Sequence, residues 1–341
     1  MLFNAHTSFL ISDRSYMSNA RREISKIAST MEFSDEQKGK IDIIISELTS
    51  NLIKHNAVNG EILVKQIEEN NCKGLEIISV DNGPGMAHPQ RMMEDGVSTY
   101  GSKGEGLGAI KRLSNVFDLY SQPAIGTFIL SRLFTKVDNT NIVLIPSKIN
   151  MDVKVVMVPK AGEKVCGDGF SVIHLDNQIS IFALDGLGHG SDANIASQEA
   201  ATVFKTCNRN SPSEVLKIVH NTIRKTRGVV AGLANIDFKT DTVAYCGIGN
   251  IAAKIIYPEG SKNLISYNGT VGHIIPNTLN NHFFNWQKSS TLVLHSDGLK
   301  ARWDFSKYPG IEKHDTSLIA AVLYKDNTRI IDDAMVLVAR N

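Results

Sequence analysis

Glu47-Leu-Thr-Ser-Asn51 sets a carboxylate and a carboxamide four residues apart, and His55 follows at the same interval. On a helix these three share one face. There an amide oxygen can ligate Mg²⁺, and a carboxylate can take a proton from an attacking hydroxyl. A solvated polar face has the same spacing. Asp81-Asn-Gly83-Pro-Gly85 begins where the apolar run Leu75 to Val80 ends. A carboxylate at that point can accept from the amino group of a base, and the glycines let backbone approach the ring. A plain strand-to-loop turn is the bland alternative. Gly101, Gly104, Gly106 and Gly108 then precede a helical stretch, so backbone N–H groups and a helix N-terminus could cradle phosphates. A lone glycine-rich loop is weak evidence. As the third element in this order it points to ATP held with Mg²⁺.

A second set lies far downstream: Gly167-Asp168-Gly169, Asp185-Gly186-Leu-Gly188-His189-Gly190, Ser296-Asp297-Gly298 and Asp332-Asp333. Each aspartate ends an apolar strand-like run or adjoins glycine, and strand ends converge at one rim of a sheet sandwich. Any single Asp-Gly reads as a turn; four in this order read as ligands. Oxygen-only donors select Mg²⁺ or Mn²⁺ over zinc. Two such ions about 4 Å apart can activate a water and orient a phosphoryl group for in-line attack. His189, flanked by glycine, reads either as a participant in that chemistry or as support for the turn.

These residues need two scaffolds. Helices are expected at about 14–31 and 35–57, the second with Ile41, Ile44, Ile45, Leu48 and Leu52 at helical spacing and Ser34-Asp35 as its cap. Strands are expected at 61–67, 75–80 and 126–134, with a helix at 110–113, giving helices layered on one mixed sheet. Near 136–150 the pattern breaks. Strands then dominate at 153–158, 170–175, 179–184, 242–246, 251–257, 291–295 and 335–339, with helices near 192–207 and 213–225. The implied organisation is a two-domain α/β chain: 1–137, a linker at 138–150, and a two-sheet sandwich with helices at 151–341.

The 341 residues fit two cores better than one. Thirty-six basic against thirty-five acidic residues leave no global charge to steer the chain to nucleic acid or an anionic membrane. Cys72, Cys166, Cys207 and Cys246 are scattered, without a C-x-x-C pair, and read as reduced thiols. No Cys precedes an Arg by six positions, which excludes a cysteine-dependent phosphatase loop. No run approaches the roughly 20 apolar residues of a membrane span, so the expectation is a cytoplasmic protein.

Residues from about Leu10 to Phe134 resemble the GHKL (Bergerat) ATPase fold, and within it the small serine kinases of bacterial partner switching. Gly101-Ser-Lys-Gly-Glu-Gly-Leu-Gly with Phe117-Asp118-Leu-Tyr-Ser and Gly126-Thr127 is most similar to the RsbT-type stressosome switch kinases. The resemblance implies Glu47 as base, Asn51 as Mg²⁺ ligand, and Asp81 as adenine contact supported by Thr127. It also implies Gly83, Gly85, Gly104, Gly106 and Gly108 as the nucleotide-binding backbone. Histidine kinases share the fold but need a phospho-accepting helical hairpin, for which about forty residues before Glu47 leave little room.

Residues 151–341 resemble the PP2C-like SpoIIE phosphatases, RsbX-type in size, with an α-β-β-α sandwich. This implies Asp185 bridging two Mn²⁺ or Mg²⁺ ions, the Gly186 carbonyl on one, Asp297 and Asp332 on the second, and Asp168 holding metal-bound water. The Asp332-Asp333 doublet leaves the register open by one, with Asp332 aligned to the first Asp of the family's D-[DN]-x-[TS] stretch. Ala334-Met335 departs from that stretch. The combined implication is a kinase and phosphatase on one chain acting on STAS-domain phosphoproteins of a stressosome or anti-anti-sigma pathway. An alternative is a phosphatase whose N-terminal half only binds ATP or sequesters a sigma factor or downstream signalling enzyme. A pseudophosphatase scaffold is disfavoured because all four carboxylates are present.

Overall fold

The computed structural model describes residues 4–55, 57–69, 71–93, 106–135, 151–207 and 210–341. The N-terminal stretch runs β1 (Thr7–Leu10), α1 (Arg14–Ser29), α2 (Asp35–Lys54), β2 (Glu61–Glu69), β3 (Cys72–Val80), α3 (Gly106–Leu113), β4 (Val116–Gln122) and β5 (Gly126–Phe134). The rest runs β6 (Asp152–Val158), β7 (Asp168–His174), β8 (Gln178–Gly186), α4 (Ser191–Thr206), α5 (Pro212–Thr222), β9 (Val229–Asp237) and β10 (Thr242–Ile248). It closes with β11 (Ala252–Tyr257), β12 (Gly260–Leu264), β13 (His282–Asn285), β14 (Thr291–His295), α6 (Thr316–Asn327) and β15 (Ala334–Arg340).

Two compact units form, and they do not follow chain order. One joins His6–Leu144 to Asp304–Asp326; the other joins Met1–Ala5, Ile145–Trp303 and Asn327–Asn341. The chain therefore leaves the C-terminal unit after Trp303 and returns at Asn327, and 151–341 is not one compact body by itself.

In the N-terminal unit the five strands lie in the order β1-β2-β3-β5-β4. Every pairing is antiparallel, where the sequence leads one to expect a mixed sheet. β3 and β4 both run antiparallel to β5 and hence parallel to each other, so the one parallel relation between consecutive strands, made by the connection through α3, is split by β5 and never becomes a hydrogen-bonded pair. The core on one face takes alternate strand residues, Ile62 and Val64, Leu75 and Ile77, Ile129 and Leu133, against Ile24, Ile41, Ile45 and Leu48 of the helices. Burying each such side chain contributes about 1.5–3 kcal/mol before entropy costs. Helix α2 begins as expected at a capping box: Gln37 N–H donates to Ser34 Oγ (3.3 Å) and Ser34 N–H to Gln37 Oε1 (3.0 Å).

In the C-terminal unit, sheet β13-β10-β9-β8-β7 stacks on sheet β12-β11-β14-β15-β6. Ile179, Ile181 and Ala183 of β8 pack with Leu292, Leu294, Met335 and Leu337 between the sheets. The alternate residues Phe182 and Leu184 pack with Phe204, Leu216 and Val219 of α4 and α5. That period-2 division is what a strand buried on both faces requires. All four cysteines are free. Among the described residues no helix is long and apolar enough to cross a membrane.

Candidate functional site

The N-terminal unit holds a cavity of about 410 Å³, within the range of small-molecule sites. Its lining includes Asn51 of α2 and His55 just past its end, Asp81 after β3, Gly85, Gly106 and Thr127. Asp81 is buried, and its Oδ1 accepts from Gly83 N–H (2.7 Å) and Thr127 N–H (3.3 Å). Both donors use Oδ1, which leaves Oδ2 for a donor within the cavity. Burial pushes the Asp81 carboxyl up, with the Gly83 and Thr127 amides opposing it. Thr127 is fixed in turn by Ser121, whose Oγ lies 3.0 Å from Thr127 Oγ1 and donates to Gly126 O (2.9 Å). Gly85 sits at φ +68, and a Cβ there would fall 1.9 Å from Gln122 O, so only glycine lets this turn close on β4.

Glu47 does not line the cavity. It lies one turn before Asn51, against the start of α3: a Cβ on Gly106 would stand 2.7 Å from Glu47 Oε2 and 3.9 Å from Asn51 Oδ1. Gly106 therefore lets the helix start approach both side chains. Gly108 is buried in α3, and Gly104 lies outside the described residues.

In the C-terminal unit, Asp168 opens β7 directly opposite Asp185 near the end of β8. Asp168 is 1% exposed, and its Oδ2 accepts from Ser296 Oγ (2.7 Å), which also accepts from Met335 N–H (3.0 Å). Asp297 Oδ2 accepts from Asn250 Nδ2 (2.7 Å). Burial, then the charges of Asp297, Asp332 and Asp333, pushes the Asp185 carboxyl up to about 8. Burial and the nearby Asp185 charge hold Asp168 well above the usual carboxylate range. Among the described residues no cation is a leading influence on either group, so ionising them together is disfavoured without a counter-ion.

Among the described residues, no three His, Cys, Asp or Glu groups are already drawn to one metal-holding point. Like charges crowded in a low-dielectric rim spread apart, and an all-oxygen donor set with unanswered charge fits hard divalent cations. The donor chemistry fits Mg²⁺ or Mn²⁺; ligating contact requires the carboxylates to draw inward. The doublet divides clearly. Asp333 is buried and spends both oxygens on backbone, accepting from Lys160 N–H on Oδ1 and Gly167 N–H on Oδ2 (2.8 Å each). Asp332 Oδ1 accepts the adjoining Asp333 N–H (2.9 Å).

Residues 10–130 match the family model of the histidine kinase-like ATPase domain, and residues 176–340 match that of stage II sporulation protein E (SpoIIE). Serine/threonine-protein kinase RsbT of Bacillus subtilis (strain 168) is 38% identical over 109 residues, covering 32% of this chain and 81% of the relative. The chain belongs to the RsbT family. This RsbT-family sequence is continued on the same chain by the region that matches the SpoIIE model. Phosphoserine phosphatase RsbX of the same strain is 25% identical over 168 residues, 48% of this chain and 84% of the relative. A solved chain from work on the bacterial stressosome as a modular system adapted to control secondary messenger signalling shares the fold. It has TM-score 0.53 at 24% identity, over 56% of this chain and 100% of that one.

The RsbT-family unit thus gathers Asn51, Asp81, Gly85, Gly106 and Thr127 at one cavity, with Glu47 beside it. The SpoIIE-type unit gathers Asp168, Asp185, Asp297, Asp332 and Asp333 within one field. Gly186 ends β8, where its N–H donates to Gly167 O (3.2 Å) and a Cβ would meet Ala193 O at 2.2 Å. Three supporting side chains have roles that the sequence leaves almost unmarked. Asn250 holds Asp297; Ser296 bridges Asp168 to β15; Glu163 Oε1 lies 2.6 Å from His189 Nδ1. The Glu163 contact ties His189 to the loop before β7. An asparagine after glycine at the end of β10 is the one available signal for Asn250.

Proposed function

We propose that the chain is a bifunctional partner-switching regulator: a metal-dependent phosphoserine/phosphothreonine phosphatase in its C-terminal unit and an ATP-dependent serine/threonine protein kinase in its N-terminal unit. The substrates would be STAS-domain phosphoproteins, by analogy with RsbT and RsbX. The crowding of Asp168 and Asp185 with Asp297 and Asp332, which disfavours their ionisation until a cation joins them, carries the phosphatase reading. Asp185, Asp297, Asp332, Asp168 and the Gly186 carbonyl would hold two Mn²⁺ or Mg²⁺ ions, and Asp333 holds the loop that presents them. When bound, such ions supply an activated water and charge stabilisation for phosphoester hydrolysis. The chain's own contribution is placement: Asn250 orients Asp297, and Ser296 orients Asp168.

In the N-terminal unit Asp81 would accept from the adenine amino group, with Thr127 holding it. Asn51 would ligate the Mg²⁺ of ATP, and Glu47 would take the hydroxyl proton of the protein substrate. Phosphate transfer from labelled ATP to a STAS-domain protein, compared between wild type and Glu47→Gln, tests the kinase reading. Loss of the acceptor should slow transfer by roughly 10²–10⁴ while ATP affinity stays within a few fold. The position of Glu47 outside the cavity lining favours a second reading, in which this unit only binds ATP or sequesters a partner. Unchanged transfer in Glu47→Gln would support it.

A further inference from the structure

The sheet of the N-terminal unit has a second face, opposite α1–α3, and its inner strands are buried there as well. Leu63, Ile78 and Leu130 are 0% exposed, and the charged Glu61, Glu76 and Arg132 alternate with them. Buried charges of this kind need partners. Several are supplied by Asp304–Asp326. The Arg132 guanidinium forks onto Asp315 (Nη1 to Oδ2, 2.8 Å; Nη2 to Oδ1, 2.9 Å) and donates to Ser317 Oγ (2.8 Å). Ser317 Oγ donates to Glu76 Oε2 (3.0 Å), which also takes the Arg132 Nε bond (2.7 Å). Asp118 accepts the Asp315 N–H (2.7 Å) and meets His314 Nδ1 (2.8 Å). Glu61 accepts from Tyr324 (3.0 Å) and Lys325 (2.7 Å).

The strands that grip this segment on one face hold the cavity on the other. Asp81 follows β3, which carries Glu76; Thr127 and Arg132 share β5; Ser121 and Asp118 share β4. Lys325 also acts on the Asp81 carboxyl through its charge. Along the chain the gripped segment is bounded by the acidic cluster, with Asp297 before it and Asp332 after it. The return begins at Asn327, whose carbonyl accepts from Lys300 N–H (2.9 Å), just beyond Asp297. We infer that Asp304–Asp326 is a lever: what fills the cavity at Asp81 changes the setting of the return from Asn327 to Asp332, through the Arg132–Asp315 fork and the Glu61–Lys325 pair. The inference rests on the nucleotide and metal readings above.

Hydrogen exchange on the full chain tests it, with saturating Mg-ADP against Mg²⁺ alone at equal free Mg²⁺. A helix merely buried in the nucleotide-binding unit would slow along with that unit, so the readout is taken at 327–334, in the other unit. The expected result is protection at 75–86, where ADP binds, together with a shift of about 5-fold or more in exchange at 327–334, the lower end of ordinary coupling. In Asp315→Asn, and separately in Lys325→Met, protection at 75–86 should persist while the shift at 327–334 collapses. Protection at 75–86 with 327–334 unchanged in wild type overturns the lever and leaves the nucleotide reading standing. No protection at 75–86 removes both. The wild-type comparison decides the matter even where a variant fails to fold.

Discussion

The N-terminal candidate site is a void of about 410 Å³ with a single buried carboxylate, Asp81, already satisfied on one oxygen by two backbone amides. The C-terminal one is instead a crowd of carboxylates, in which burial and mutual repulsion lift Asp185 to about 8. The first is specified by shape, with glycine at Gly85 and Gly106 where a Cβ would collide. The second is specified by charge placed where the fold alone cannot neutralise it. A shaped void is ready for a large ligand before that ligand arrives, whereas a charge cluster reaches its working geometry with its cation.

The largest effect should come from breaking the charged site. Asp185→Asn removes the carboxylate that the other aspartates most directly surround, and phosphatase turnover with Mn²⁺ should fall to background. ADP affinity, measured by calorimetry, should stay within about 2-fold, because nothing in the cavity lining changes. Full turnover in this variant would sink the two-metal assignment. The matching break in the shaped site is Asp81→Asn. Losing a hydrogen bond to a charged acceptor costs about 1.5–3 kcal/mol, or roughly 10–150-fold in ATP affinity. Unchanged affinity would reject Asp81 as the adenine contact.

A smaller effect separates ligand from support. Asn250 donates to Asp297, so its effect on a cation would run through that carboxylate. Its replacement by Ala should lower Mn²⁺ affinity by roughly 10–100-fold, the usual consequence of removing an orienting partner. Turnover at saturating Mn²⁺ should recover most of its wild-type value. A loss that added metal does not rescue would make Asn250 part of the reacting centre instead.

The same contrast explains what is legible in the sequence. Helices α1 and α2 and strands β5 and β14 are legible because one face of each helix is apolar at the helical period, and each strand is a short run bounded by turn residues. Helix α6 is not. Thr-Ser-Leu-Ile-Ala-Ala-Val-Leu-Tyr has no polar stripe, since Leu318 to Val322 are all 0% exposed, and periodicity cannot mark a helix with no solvent side. Strand β9, Val229–Asp237, escapes notice for a related reason: it is central in its sheet and nearly continuous in small apolar residues. The aspartates stand out because each lies at a strand end or beside glycine. Their supports do not, because Asn250, Ser296 and Glu163 acquire meaning only through partners 26 to 128 residues away. The excursion of Asp304–Asp326 into the other unit leaves no composition signal, since its ion pairs use ordinary surface residue types.

The smallest expected effect is a pH dependence that should appear at one site and answer to one ligand. Asp185 is raised in the folded chain from an ordinary 3.8 to about 8. Between those values the folded state holds a proton that the unfolded state has released. Stability from this group is therefore fully present below about pH 4 and lost as pH rises through about 8. Glu76 has the opposite sign: burial would raise it, but Lys65, His6 and Arg132 outweigh burial and hold it well below its ordinary value, so it acts only on the acid side. Metal-free protein should accordingly melt several degrees lower at pH 8.5 than at pH 5.5, on the scale of about 2–4 °C per kcal/mol for units of this size. Saturating Mg²⁺ should flatten that slope, because the cation takes the place of the proton among the carboxylates. Saturating ADP without metal should raise the melting point without flattening it, since the nucleotide would sit at the Asp81 cavity and not among the clustered carboxylates around Asp185. A slope that metal leaves untouched would mean that the repulsion at Asp185 is relieved by local movement rather than by a bound cation.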